Sequence, residues 1–161
     1  MRFKLLSMFA AVALLAACET ASDQSASSTG TGASTGSSST TRARSPQEIL
    51  TSEVGDRVFF DFDKSDLKPE ARRTVERWAG FLKQYPNLTV TVEGHCDERG
   101  TREYNLALGE RRANSAKNFL VSLGVDARRV ATISYGKERP AVVGSNEAAW
   151  SQNRRSVMVV N

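Results

Sequence analysis

Leu88-Thr89-Val90-Thr91-Val92-Glu93 alternates apolar with polar side chains, and Gly94-His95-Cys96-Asp97-Glu98-Arg99-Gly100 follows it directly. A period of two is that of a half-buried strand, and the polar, Gly-bounded run after it reads as a loop at the strand's carboxyl end. From Arg102 the period changes. Leu106, Gly109, Ala113, Ala116, Leu120 and Leu123 recur at intervals of three and four, which predicts a helix over 102–123 closed by Gly124. Three of these residues are small, so the helix can lie close on a sheet. Strand, polar loop and helix start in one run point to an α/β fold. The same run supplies a candidate site, because ligands often meet backbone N–H groups and the helix dipole at such a junction.

The flanking sequence extends this frame in both directions. Ser45-Pro46-Gln47-Glu48 fits a capping box with Pro at the first helical position, opening a short helix to about Ser52. Arg57–Phe62 predicts a strand ending in Asp61-Phe62-Asp63. Pro69 opens a helix in which Ala71, Val75, Trp78, Ala79 and Leu82 share a face, and Tyr85-Pro86 ends it because the residue before Pro disfavours helix. Val130–Tyr135 and Arg155–Val160 read as strands, with a short helix at Glu147–Gln152 between them. The order β-α-β-α-β-(α)-β predicts an α/β (α+β) sandwich over residues 45–161, with helices covering one main face of a four-stranded sheet.

Residues 1–44 carry different instructions. Arg2 and Lys4 precede an apolar run, Leu5 to Leu15, the form of a secretory signal and short for a bilayer span of about 20 residues. Leu15-Ala16-Ala17-Cys18 looks like a bacterial lipobox, which implies removal of residues 1–17 and acylation of Cys18 on its thiol and new amino group. Several acyl chains give stable anchoring where one does not. Glu19 after the cysteine is compatible, by analogy with lipoprotein sorting, with transfer to the outer membrane. From Glu19 to Thr41, 17 of 23 residues are Ser, Thr or Gly, so 18–44 reads as a flexible tether unable to offset its ordering entropy.

Composition narrows the function classes. The 161 residues are 40% apolar and 25% charged, which fits one ordinary core and excludes a wholly disordered or collagen-like chain. A formal charge of +4, part of it from Arg2 and Lys4, offers no concentrated basic face for nucleic acid. One His and two Cys leave no multi-histidine metal site, no four-Cys zinc site and no disulfide scaffold. His95-Cys96-Asp97 is not expected to hold a metal, since adjacent residues of an extended loop point in alternate directions. No Gly-x-Gly-x-x-Gly or phosphate loop is present, and the one Gly-x-Ser-x-Gly match, Gly32-Ala33-Ser34-Thr35-Gly36, falls in the Ser/Thr/Gly stretch and not at a strand-to-helix elbow, so neither an enzyme nor a cofactor is expected.

Taken alone, the loop residues admit plain readings. Asp97 suits the N–H groups of a turn, Asp63 is a turn residue before Lys64-Ser65, and Arg112 is a charge on a helix. Their surroundings add more. Phe59-Phe60-Asp61-Phe62-Asp63-Lys64-Ser65, Val92 to Thr101, and Tyr104-Asn105-Leu106-Ala107-Leu108-Gly109-Glu110-Arg111-Arg112-Ala113-Asn114 resemble the OmpA-like peptidoglycan-binding domain. Ser134-Tyr135-Gly136-Lys137-Glu138-Arg139-Pro140 and Asn153-Arg154-Arg155 continue the likeness, which covers about residues 48–161.

The lipobox, tether and lone C-terminal domain are most similar to the lipid-anchored members of that family. This resemblance implies a periplasmic domain on the outer membrane that binds the peptidoglycan stem peptide through diaminopimelate. It also implies Tol proteins, TolB above all, as partners, and a role in envelope integrity and cell division. An OmpA-like wall-binding lipoprotein outside the Tol system is the alternative. By the same resemblance Asp97 pairs with the ligand ammonium and Arg112 takes a carboxylate, for which a guanidinium fork is suited and Lys is not. Asp63 lines the pocket, Asn105 braces the loop or touches the stem, and Arg99, Gly100, Thr101 and Leu108 match further pocket positions, Leu108 as an apolar wall. Cys96 departs from the pattern, standing where the family usually has Ala or Thr, and reads as a small half-buried thiol.

Overall fold

The Ser45 hydroxyl accepts the Glu48 N–H (3.2 Å) and the Glu48 carboxylate accepts the Ser45 N–H (2.6 Å), so the capping box forms as its four residues dictate. It opens α1 (Pro46–Ile49) in the computed structural model, which describes residues 43–161; the signal segment, Cys18 and most of the tether lie outside the described residues. The helix runs on as a π-turn over Leu50–Val54, two residues beyond the expected end, and Gly55 in a left-handed conformation (φ 87°) stops it.

The remaining elements are β1 (Arg57–Phe59), α2 (Pro69–Gln84), β2 (Val90–His95), α3 (Arg102–Ser122), β3 (Val130–Gly136), α4 (Glu147–Asn153) and β4 (Arg155–Val160). The four strands form one mixed sheet in the order β1-β4-β2-β3; β4 is antiparallel to both neighbours, and β2 is parallel to β3. A 3₁₀ turn at Ala127–Arg129, capped by Asp126, leads into β3 and was not evident in the sequence. Among the described residues no helix is long and apolar enough to cross a membrane.

Register explains the core. Val92 lies opposite Met158 on one side and Thr132 on the other, and Val90 opposite Val160 and Val130, so these side chains share one sheet face. Val58, Val90, Val92, Val130 and Met158 from that face pack with Val75, Trp78, Ala79 and Leu82 of α2 and Ala113, Ala116 and Leu120 of α3. Trp78 is fully buried because its indole N–H finds the Gly55 carbonyl at 2.6 Å. The small residues of α3 act as expected: a Cβ on Gly94 would stand 1.9 Å from the Gly109 carbonyl oxygen. Helix and strand backbones touch there.

Two expectations change. Strand β1 ends at Phe59, not Phe62. Phe60 still donates its N–H to Arg154 (2.9 Å), but Asp63 takes a left-handed φ of 57° and the chain folds over α3. The buried face of α3 is also less apolar than its stripe suggested. Asn105, Leu108 and Arg112 are buried with Gly109 and Ala113, while Leu106 is half-buried.

Candidate functional site

Strand β2 delivers the loop, and polar side chains hold it. The Cys96 N–H donates to the Gly136 carbonyl at 2.7 Å, continuing the β2–β3 pairing past a register shift. Asp97 then turns the chain, its Oδ1 accepting the Arg99 N–H at 3.1 Å. Gly100 occupies the left-handed region (φ 89°), where a side chain would be strained. The Thr101 hydroxyl accepts the Tyr104 N–H (3.2 Å) and so caps α3.

Loop carbonyls are satisfied from two sides. Asn105 Nδ2 donates to the carbonyls of Arg99 (2.8 Å) and Thr101 (3.0 Å), and Lys137 Nζ to those of Gly100 (2.7 Å) and Glu98 (3.2 Å). Of the two roles open to Asn105, bracing is the one it performs here. Lys137 is a brace that sequence reading missed, since nothing local links it to a loop almost forty residues earlier.

Asp63, Asp97, Arg99, Gly100, Asn105, Leu108 and Arg112 line one pocket of about 180 Å³, together with Phe62, Cys96 and Tyr104. Of the expected site residues only Thr101 stands outside the lining, serving as the helix cap. Leu108 forms the apolar wall. Asp63 is exposed, and its carboxylate accepts the Tyr104 hydroxyl. Asp97 is 4% exposed and faces Arg99 Nη2 at 2.6 Å and Arg154 Nη1 at 3.4 Å. Burial alone would raise the Asp97 carboxyl, but the Arg99 and Arg154 hydrogen bonds outweigh it and hold the group below its ordinary value.

Arg112 differs from its expected geometry. It is 0% exposed, and four N–H groups already serve the protein. Nε donates to the Lys64 carbonyl (2.8 Å), Nη2 to that of Asp61 (3.1 Å), and Nη1 to the His95 carbonyl (2.9 Å) and the Cys96 sulfur (3.3 Å). An arginine has five such donors, so one remains for a ligand and the free fork expected of it is not available. Burial lowers the Arg112 pKa from its ordinary value. The neighbouring Cys96 thiol, donating to the Asn105 carbonyl at 3.3 Å, is pushed up to about 11 by burial and is a packed, protonated group. Among the described residues no cluster of three His, Cys, Asp or Glu side chains could hold a metal.

Residues 59–154, which run from the last residue of β1 to the residue before β4, match the OmpA family. The chain belongs to the OmpA family. Within the OmpA family its similarity is to peptidoglycan-associated lipoproteins. It is 55% identical over 114 residues to that of Agrobacterium fabrum, covering 71% of this chain and 64% of the relative. To that of Rhizobium meliloti it is 54% identical over 114 residues, covering 71% of this chain and 65% of the relative. The chain thus spans slightly less than two thirds of these relatives' length. The crystal structure of the peptidoglycan-associated lipoprotein from Burkholderia pseudomallei shares the fold with a TM-score of 0.68 and 36% identity, covering 73% of this chain and 100% of that one.

Proposed function

We propose that this pocket binds the peptidoglycan stem peptide non-covalently through diaminopimelate, and that the protein ties the outer membrane to the wall. The observation that carries the reading is the charge layout of the pocket: two carboxylates, Asp63 and Asp97, and two guanidiniums, Arg99 and Arg112, line one small cavity with an apolar wall. A zwitterion with an ammonium and carboxylates at fixed separation matches that layout. Asp97 and Asp63 serve the ammonium side, and Arg112 offers its charge and remaining N–H to a carboxylate. Every step is binding; no general acid or nucleophile is required. The relatives' name, peptidoglycan-associated lipoprotein, supports the same ligand.

The rest of the proposal concerns the whole protein. Residues 1–17 are a signal peptide, Cys18 carries the lipid anchor, and 18–44 tether the periplasmic domain of 45–161. Tol proteins, TolB in particular, are the proposed partners, with a part in envelope integrity and cell division. A TolB pull-down separates this from a wall-binding lipoprotein outside the Tol system.

The binding test uses purified sacculi and the full chain. Removing one partner of a partly desolvated charged hydrogen bond costs about 2–5 kcal/mol. Asp97→Asn is therefore expected to weaken co-sedimentation at least about tenfold, and exposed Asp63→Asn by a smaller factor. Undiminished binding by both variants, folded by circular dichroism, would overturn the reading.

A further inference from the structure

Asp97 receives four donors. At Oδ1 it accepts the Arg99 N–H (3.1 Å) and Arg99 Nε (3.2 Å); at Oδ2 it accepts Arg99 Nη2 (2.6 Å) and Arg154 Nη1 (3.4 Å). A carboxylate has about four lone-pair sites, so an arriving ammonium finds no acceptor until one donor leaves.

The two guanidiniums are not equally able to leave. Arg154 is buried, with Nε on the Phe60 carbonyl (3.1 Å) and Nη2 on Glu147, and withdrawing it would strand those groups. The Arg99 side chain is 32% exposed and, among the described residues, donates to no group but Asp97. Two rings hold it flat: its Cζ lies 4.0 Å from the Phe62 centroid and 4.1 Å from that of Trp150. Trp150 is fixed in turn by its indole N–H on Glu98 (3.1 Å). The arrangement is an aromatic slot with a carboxylate at its end, the chemistry that recognises a ligand cation, and a protein cation fills it.

We propose that Arg99 is an internal competitor for the ammonium subsite at Asp97, so that the ligand binds by displacing the guanidinium. This rests on the stem-peptide reading given above. When the competent state is only a fraction of the population, apparent affinity falls by that fraction. Arg99 therefore sets both affinity and specificity. A simple amine brings one charge and cannot dislodge a bidentate, doubly stacked guanidinium. A zwitterion that also engages Arg112 can. Trp150 and Phe62 are the residues that hold the competitor in place.

Arg99→Met tests this, because methionine keeps an unbranched side chain between the rings and removes the charge and its donors. The full chain is titrated with the tripeptide L-Ala-γ-D-Glu-meso-diaminopimelate by calorimetry and, separately, with methylammonium, read by tryptophan emission. The chain has two tryptophans, and Trp150→Phe identifies which one reports. The variant is expected to bind the tripeptide about tenfold tighter than the natural protein. Methylammonium is expected to change Trp150 emission in the variant alone, and adding Asp97→Asn should remove both gains. Tripeptide binding that is no tighter in the variant, with the natural protein binding, overturns the proposal and makes Arg99 an anchor for the ligand. So does methylammonium acting on both proteins alike. If neither protein binds the tripeptide while methylammonium still enters the variant alone, the stem-peptide reading fails and the competitor stands.

Discussion

Four of Arg112's donors hold the carbonyls of Asp61, Lys64 and His95 and the sulfur of Cys96, so this one side chain splices the loop after β1 to the end of β2. Its buried charge is compensated by carbonyl dipoles and by a phenyl face, the Phe60 ring centroid lying 5.2 Å from Cζ. Arg112→Met preserves bulk but leaves those carbonyls unpaired, at about 1–3 kcal/mol for each such group. The expected result is a melting temperature lower by on the order of 10 °C. A melt within about two degrees of the natural protein would show that the splice contributes little. Loss of wall binding in any Arg112 variant therefore needs a matched melt before it is assigned to the ligand. The family resemblance made Arg112 a candidate site residue, whereas its place beside the apolar stripe of α3 reads by itself as a charge on a helix. Its burial could not be read there, because it depends on loop carbonyls about fifty residues away in the chain. The same holds for Trp150 and Lys137, whose partners lie across the sheet's end.

Between elements, the Gly94–Gly109 contact sets how deeply α3 sits on β2, and α3 carries Asn105, Leu108 and Arg112 into the pocket. A methyl on Gly94 has no room, since the obstacle at 1.9 Å is backbone. Gly94→Ala is expected to cost about 1–3 kcal/mol by overpacking and to weaken sacculus binding with it. Gly80 gives the opposite sign. It lies exposed inside α2 with nothing within 4 Å of a would-be Cβ, so Gly80→Ala should stabilise by about 0.5–1 kcal/mol. Urea denaturation of both variants reads the contrast; stabilisation by Gly94→Ala would mean the helix can retreat freely. The small-residue stripe of α3, the capping box at Ser45 and the Tyr85-Pro86 stop were legible because each is local in sequence. The shortness of β1 was not, for Phe60-Asp61-Phe62 has strand-like composition. Pairing with β4 ends there, and Asp63 turns the chain away.

At the scale of the whole molecule, pH is the variable that separates fold from site. His95 ends β2 and is 2% exposed, its ring 5.5 Å from that of Tyr135. Burial first, then the charge of Arg155, pushes its pKa down from 6.5 to about 4; the Arg139 backbone carbonyl, as an acceptor, opposes this, and the Arg139 charge adds a smaller downward push. Glu93 Oε2 lies 3.4 Å from Nε2, within reach of the ring, yet the net shift is downward. The sign follows from proton counting. Between pH 6.5 and about 4 the unfolded chain holds a proton on this histidine that the folded chain does not. Stability from His95 is thus fully present above 6.5 and is lost as pH falls through that window, by at most about 3 kcal/mol. Asp97, also held below its ordinary value, adds a further loss only in the acid range below the ordinary carboxylate value. His95→Gln should flatten the dependence between pH 7 and about 4.5 while leaving the steeper acid limb in place. Denaturant midpoints at pH 7, 5.5 and 4.5 make the comparison, and an unchanged slope in the variant would assign the acid sensitivity to carboxylates alone.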